Sequence, residues 1–256
     1  MRKIITSIFI VILLIVNTNA QDHQLFTGIL KDYVKNGLVD YENLRKDERL
    51  PKYLNQLSGT NIEKLTRNEK LAFWINTYNA FTLFIINKNY PVKSITDLHT
   101  GGRIIGYLLG KTVWDKEFIE INGSKFSLND IEHKILRKMN EPRIHFAIVC
   151  ASISCPEIRD EAYVANKLET QLEKQATKFI NDPSRNKFDL KNREAEISEI
   201  FNWFEEDFGN DEEEVLLYIA KYLPEEIAND IINNLTEWDV SYMNYNWGLN
   251  EYVKND

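Results

Sequence analysis

The sequence predicts an α+β class: one compact, helix-rich domain with a central antiparallel or mixed sheet. Three observations carry this expectation. The stretch Asn68–Asn87 is a long apolar run ended by polar residues and Pro91, with Trp74, Tyr78, Phe81 and Ile85 at helical spacing. Asn122-Gly123 separates two short β-prone runs, the signature of a tight hairpin. The remaining helical patterns lie towards the two ends of the chain, the usual arrangement when helices and strands segregate.

The elements follow in order. Arg2 and Lys3, the apolar run Ile4–Val16 and the small residues Thr18-Asn19-Ala20 read as an export signal over residues 1–20. The run is too short for a comfortable span of about 20 residues. The expectation is a chain cut before Gln21, periplasmic or secreted, with no stable membrane anchor after processing. Residues 21–256 then form a single globular domain, since six scattered prolines and no repeat or linker divide them. Leu25–Val34 and Tyr41–Leu57 read as helices. Phe118–Ile121 and Ser124–Phe126 form the Asn-Gly hairpin. Ser127 and Asp130 match a helix-capping pattern, and that helix runs to about Lys138. Ile144–Val149, apolar on both faces, reads as a central strand. A helix over Asn166–Ile180, a hairpin over Phe188–Ile197, and helices near Ile200–Asp207, Glu212–Tyr222 and Pro224–Leu235 complete the chain.

A net charge of −8 argues against a nucleic-acid partner. The acidic runs Glu205–Asp207 and Asp211–Glu214 read as solvated helix faces. Gly101-Gly102 and the Gly106–Gly110 pattern lack the lysine and flanking elements of a phosphate loop. His133, His145, Cys150 and Cys155 do not form a dense ligand motif, so neither metal nor cofactor is expected.

The chemistry concentrates in Arg143–Arg159, which holds both cysteines and one of the four histidines. Three readings stay open: a thiol nucleophile at Cys155 or Cys150, a Cys150–Cys155 disulfide, or a structural turn. Export favours the disulfide; Pro156 restrains Cys155 in a way that suits a thiol at a pocket edge. On a straight strand His145 would lie about 16 Å from Cys150 and on the opposite face, which makes it a poor base. His133, with Glu132 beside it and Arg137 one turn on to disfavour its protonation, is the better base. Asn76 and Asn79, amides on the apolar helix, either donate to a substrate oxygen or pin a neighbouring loop. The catalytic candidates are therefore Cys155, Cys150, His133, Glu132 and Asn76. Trp74, Asn79, His145, Ser154 and Arg137 are candidate substrate contacts.

Several motifs, in order, resemble the domain-of-unknown-function family numbered 547, in an exported bacterial form. They are Leu71–Ala80, Trp114-Asp115, Ser127–His133, His145–Cys150, Ser154-Cys155-Pro156, Ile200–Phe204 with Asp207-Phe208, and Tyr245–Asn250. The resemblance spans about residues 65–250 and departs at Gly248, where serine is expected, and at Ala151, where glycine is common. It implies that these motifs form one unit. A more distant likeness to papain-like and transglutaminase-like enzymes implies thiol chemistry. In those enzymes, however, the cysteine opens a helix and precedes the histidine, whereas the long helix here carries Asn76. The leading expectation is a thiol-dependent hydrolase or acyl transferase acting on a peptide or amide. The alternative is a non-catalytic module that binds a small molecule, a peptide or a protein, with a structural disulfide.

Overall fold

The structure, a computed structural model, describes residues 22–101 and 112–254. The predicted export signal and the Gly106–Gly110 pattern lie outside the described residues. Helix α1 (Gln24–Tyr33) buries Phe26, Ile29 and Leu30 on one face. It runs into a hairpin of β1 (Val34–Lys35) and β2 (Leu38–Val39), turned by Asn36 and Gly37 at φ of 51° and 79°. This second Asn-Gly hairpin was readable by the rule applied at Asn122, but the strands are two residues long and carry little alternation.

The helix expected over Tyr41–Leu57 is two helices, α2 (Tyr41–Leu44) and α3 (Arg49–Ser58). Pro51 explains the break, because in a continuous helix its ring would clash with the carbonyl four residues earlier. The chain restarts instead, with Asp47 accepting from Arg49 N at 2.8 Å and from its guanidinium.

Helix α4 (Arg67–Asn89) opens on a reciprocal cap between Thr66 and Glu69. Every residue from Leu71 to Leu83 is buried. A helix buried all round is the centre of a fold rather than its flank. Here it occupies the place that the sequence reading gave to a sheet.

Among the described residues the strand content is spread over three small sheets. Strands β3 (Ile119–Ile121) and β4 (Ser124–Phe126) form the predicted hairpin, with Asn122 and Gly123 at positive φ. Ser127 and Asp130 then cap each other, Asp130 N donating to Ser127 Oγ at 3.0 Å. The helix they start, Asp130–Leu136, is wound as a wide π-helix. It tightens over Arg137–Met139 and ends at Asn140 with φ 51°.

Ile144–Val149 is not a strand. Residues Pro142–Phe146 form a 3-10 turn, and the chain runs on irregularly to Cys150. The Asn79 side chain replaces a strand partner: its Nδ2 donates to Ala147 O and its Oδ1 accepts from Val149 N, both at 2.9 Å. A short apolar run does not distinguish a central strand from a segment held this way.

Beyond the cysteines come α5 (Leu168–Ile180), the antiparallel pair β5 (Lys187–Asp189) and β6 (Glu194–Ile197), and four helices. These are α6 (Glu199–Trp203), α7 (Glu205–Phe208), α8 (Glu212–Ala220) and α9 (Glu225–Asn233). Strand β7 (Asp239–Tyr242) then joins β6 in parallel.

Two apolar clusters result among the described residues. One surrounds α4 with α1, α3 and the β3–β4 hairpin; the other gathers Phe179, Phe201, Phe208, Ile219 and Trp238. Phe146 belongs to the second, stacked on Phe179 at 5.1 Å, while Ile144 and Val149 belong to the first. The segment leading to Cys150 therefore follows the seam between two cores.

Candidate active site: a thiol pair at the seam of two cores

Cys150 ends the segment held by Asn79. Ala151 follows at φ 62°, a left-handed conformation that glycine adopts freely and alanine does not. This turn folds Ser152–Cys155 back, with Cys155 N donating to Ser152 O at 3.2 Å. Residues 246–250 then clamp the loop: Asn250 N donates to Ala151 O, Ile153 N to Gly248 O and Ser154 N to Asn246 O.

The two cysteines are free thiols, so the disulfide reading does not describe this structure. Their Sγ atoms are 3.0 Å apart, against about 2.05 Å for a bond. Each sulfur has other partners. Cys155 Sγ accepts from Cys150 N at 2.9 Å; Cys150 Sγ lies 3.1 Å from Ser152 Oγ and 3.3 Å from Tyr245 Oη. The adjacent Cys155 thiol holds Cys150 down at about 6 against the opposing effect of burial, and the Ser152 and Tyr245 hydroxyls add to it. Burial, and then the neighbouring Cys150, push Cys155 up. Cys150 is therefore the thiolate of the pair, and Cys155 the buried thiol that supports it.

Cys150 opens on a cavity of about 170 Å³. One wall is titratable, formed by Tyr78, Glu132, His133 and His145; another is aromatic, with Trp114, Trp203 and Trp247. The π-helix explains why consecutive Glu132 and His133 share the cavity, a placement that an ordinary helix would not favour. Glu132 is buried and accepts from Tyr78 Oη at 3.2 Å. Burial raises its carboxyl to about 7, and the Cys150 charge adds to the rise.

His133 is half-buried. Its Nδ1 lies 3.1 Å from Arg137 Nη1, and burial followed by the Arg137 charge lowers its pKa. His145 is buried against Phe204, ring centroids 4.0 Å apart, and its Nε2 pairs with Asp207 Oδ2 at 2.6 Å. Burial would raise Asp207, but hydrogen bonds from His145 and Arg137 hold it down at about 2. Arg137 Nε pairs with Asp207 at 2.5 Å, and Nη2 also reaches Glu206.

The cavity thus brings together five of the sequence candidates: Cys150, Cys155, Glu132, His133 and His145. With no strand between them, His145 and Cys150 are not held on opposite faces, and both line the same cavity. The other candidates sit elsewhere. Asn76 is fully buried and its amide is committed to the backbone of Tyr163, at 2.8 and 2.9 Å. Asn79 is committed to Ala147 and Val149. Trp74 packs edge-on against Phe126, and Ser154 Oγ accepts from Asn246 N at 2.9 Å. Arg137 lies behind His133, outside the cavity lining.

The sequence reading missed Tyr78, Ser152, Asp207 and Tyr245 as site residues. Tyr78, Asp207 and Tyr245 stand inside the quoted motifs, and Ser152 lies between the two cysteines, so the motifs held the signal without a role attached. Among the described residues no group of three or more His, Cys, Asp or Glu side chains is placed to hold a metal ion. Nor is any helix long and apolar enough to cross a membrane.

No curated protein and no solved structure matches the chain. A family model does match, over residues 62–180, described as "Protein of unknown function, DUF547". That stretch contains α4, the π-helix, both cavity histidines and both cysteines, while Trp203, Tyr245 and Trp247 reach the cavity from outside it and Asp207, also outside it, pairs with His145 and Arg137. Over residues 62–180 the chain is similar to the DUF547 family.

Proposed function

We propose that the protein is a thiol-dependent hydrolase or acyl transferase acting on a peptide, amide or related acyl compound, with Cys150 as nucleophile. The observation that carries this is Cys150 itself: a thiol held near 6, facing a cavity it shares with a carboxyl held near 7. A thiol already ionised at neutral pH needs no base to make it nucleophilic. The step that needs help is departure of the amine. Glu132, close to half-protonated at pH 7, suits that role, since an acid–base group works best with a pKa near the working pH.

In this scheme the Cys150 sulfur adds to the carbonyl carbon, giving a tetrahedral oxyanion. The carbon–nitrogen bond breaks, the amine takes the Glu132 proton, and a thioester remains. Water then attacks the thioester, Glu132 takes the proton back, and the acid leaves with Cys150 again a thiolate.

The cavity sets the acyl group. A cavity of about 150 Å³ holds a benzene ring; this one, about 170 Å³ with three tryptophans on its wall, fits one ring-sized or compact apolar group beside the scissile carbonyl. A panel of p-nitrophenyl esters and anilides tests the reading. Burst release of p-nitrophenol with a thioester at Cys150 supports it, as does loss of turnover in Cys150→Ser. Turnover unchanged in Cys150→Ser, or none across the panel, overturns it.

The aromatic wall favours a second reading, a binding module that uses the same cavity without turnover. Ligand affinity retained in Cys150→Ser, with no turnover in either form, distinguishes the two. Export is part of the proposal, resting on residues 1–20; intact mass of the protein recovered outside the cytoplasm tests for a start at Gln21.

A further inference from the structure

His133 has two ring nitrogens, and the structure leaves no freedom about which carries the proton. A guanidinium has five N–H donors and no acceptor. Arg137 Nη1, 3.1 Å from His133 Nδ1, can only donate, so Nδ1 must be bare. In a neutral imidazole the proton then sits on Nε2. A doubly protonated ring could not make this contact at all.

Arg137 is itself fixed. Asp207 holds its Nε at 2.5 Å, and Asp207 is anchored in turn by His145 Nε2 at 2.6 Å. Phe204 stacks on the His145 ring and lies under the Arg137 guanidinium, 5.4 Å from its centroid. The row His145–Asp207–Arg137–His133 therefore runs from the buried seam to the cavity wall. Arg137 stands outside that wall and His133 is part of it, and Nε2 is the ring nitrogen that Arg137 leaves free for the cavity side.

We infer that His133 presents Nε2–H to the cavity as a fixed hydrogen-bond donor to the oxyanion formed when Cys150 attacks, and that Arg137 and Asp207 are positioning residues that set this tautomer. The inference rests on the acyl-transfer reading for the oxyanion, but not for the tautomer. It reverses the role that the sequence suggested for His133: a nitrogen that already carries its proton cannot take one from the thiol. The benefit of such a donor is that its orientation is settled before charge develops, which is where hydrogen bonds contribute most to rate.

Two measurements test it. In protein labelled with ¹⁵N at histidine, long-range proton–nitrogen correlation at pH 7 should show His133 with a protonated Nε2 and a bare Nδ1. In Arg137→Met the two tautomers should mix. A protonated Nδ1 in the unmodified protein overturns the inference whatever the activity. The second measurement compares acylation by an activated ester with alkylation of Cys150 by iodoacetamide, which creates no carbonyl oxyanion. His133→Ala should lower acylation by about 100- to 1,000-fold and change alkylation by less than about twofold. His133→Gln, which restores an N–H but no base, should recover at least about tenfold of the loss. Parallel falls in acylation and alkylation, with no recovery in His133→Gln, would make His133 the base and sink the donor role. Absence of acylation in the unmodified protein, with the expected tautomer present, would remove the acyl-transfer reading and the oxyanion role together, leaving the tautomer assignment in place.

Discussion

Cys150 and Cys155 bear the same side chain 3.0 Å apart, yet the surroundings drive their protons in opposite directions. The partly buried sulfur has three polar neighbours, while the fully buried one takes a backbone N–H and hides behind it. Alkylation of the folded protein should accordingly fall on Cys150 alone, with a rate midpoint near pH 6 rather than near 8.5, as mass spectrometry of the labelled peptide would show. Labelling centred on Cys155, or a midpoint above 8, contradicts the assignment. Glu132 makes a separate prediction. Its folded pKa of about 7 lies above the value of an unfolded glutamate, so its contribution is fully present below about pH 4.3 and lost as pH rises through 7. Glu132→Gln keeps an acceptor for Tyr78 and removes the buried charge. It should raise stability at pH 8.5 by up to about 3 kcal/mol and change it little at pH 4, read from denaturant melts. At this scale the sequence carried the identities of the thiols and of Glu132 and His133. The Arg137 neighbour of His133 was also visible from its spacing. Which nitrogen Arg137 occupies depends on Asp207, 70 residues further on, and no local pattern contains that.

The elements that could be read directly are those stabilised by their own residues. Helix α4 declares itself through its apolar run at helical spacing, and the Asn122-Gly123 hairpin through the positive φ its turn requires. One element was misread because a partner distant in sequence decides it. Ile144–Val149 has the composition of a central strand, but Asn79 supplies the two hydrogen bonds that a neighbouring strand would have made. One amide thus settles the path of the chain into Cys150. Asn79→Ala leaves two buried backbone groups unpaired and should cost about 2–4 kcal/mol. It should also broaden the pH profile of Cys150 alkylation, because the sulfur is no longer held against Ser152 and Tyr245. A loss below about 0.5 kcal/mol in a chemical melt would show that the segment holds itself. The interrupted Tyr41–Leu57 helix teaches the converse. Pro51 was in plain view, and its clash with residue 47 is enough to place a break that the reading of one continuous helix overlooked.

For the whole molecule, the α+β class and the dominance of helix followed from pattern alone, whereas the division into two cores did not, because it depends on which cluster each aromatic joins. The cavity exists because those cores meet along Ile144–Cys150 and the segment around Tyr245–Asn250 closes over them. Tyr245 Oη lies 3.3 Å from Cys150 Sγ across 95 residues of sequence. Tyr245→Phe should therefore move the alkylation midpoint of Cys150 upward and slow labelling at pH 6 by about three- to tenfold, with the melting profile changed little. An unmoved midpoint would mean that Cys155 and Ser152 alone hold the thiolate.

The strand-like segment 246–252 touches both Val39 and the cysteine loop: Val39 N donates to Asn250 O, Tyr252 N to Val39 O, and Asn250 N to Ala151 O. A ribosome delivers Cys150 about a hundred residues before this closing segment. Through that interval of synthesis the loop lacks its clamp and its tyrosine, and the sulfur is an ordinary thiol with no walled chamber around it. On the proposed thiol reading, the reactivity of Cys150 therefore waits until the closing segment has been made and has docked on the cysteine loop.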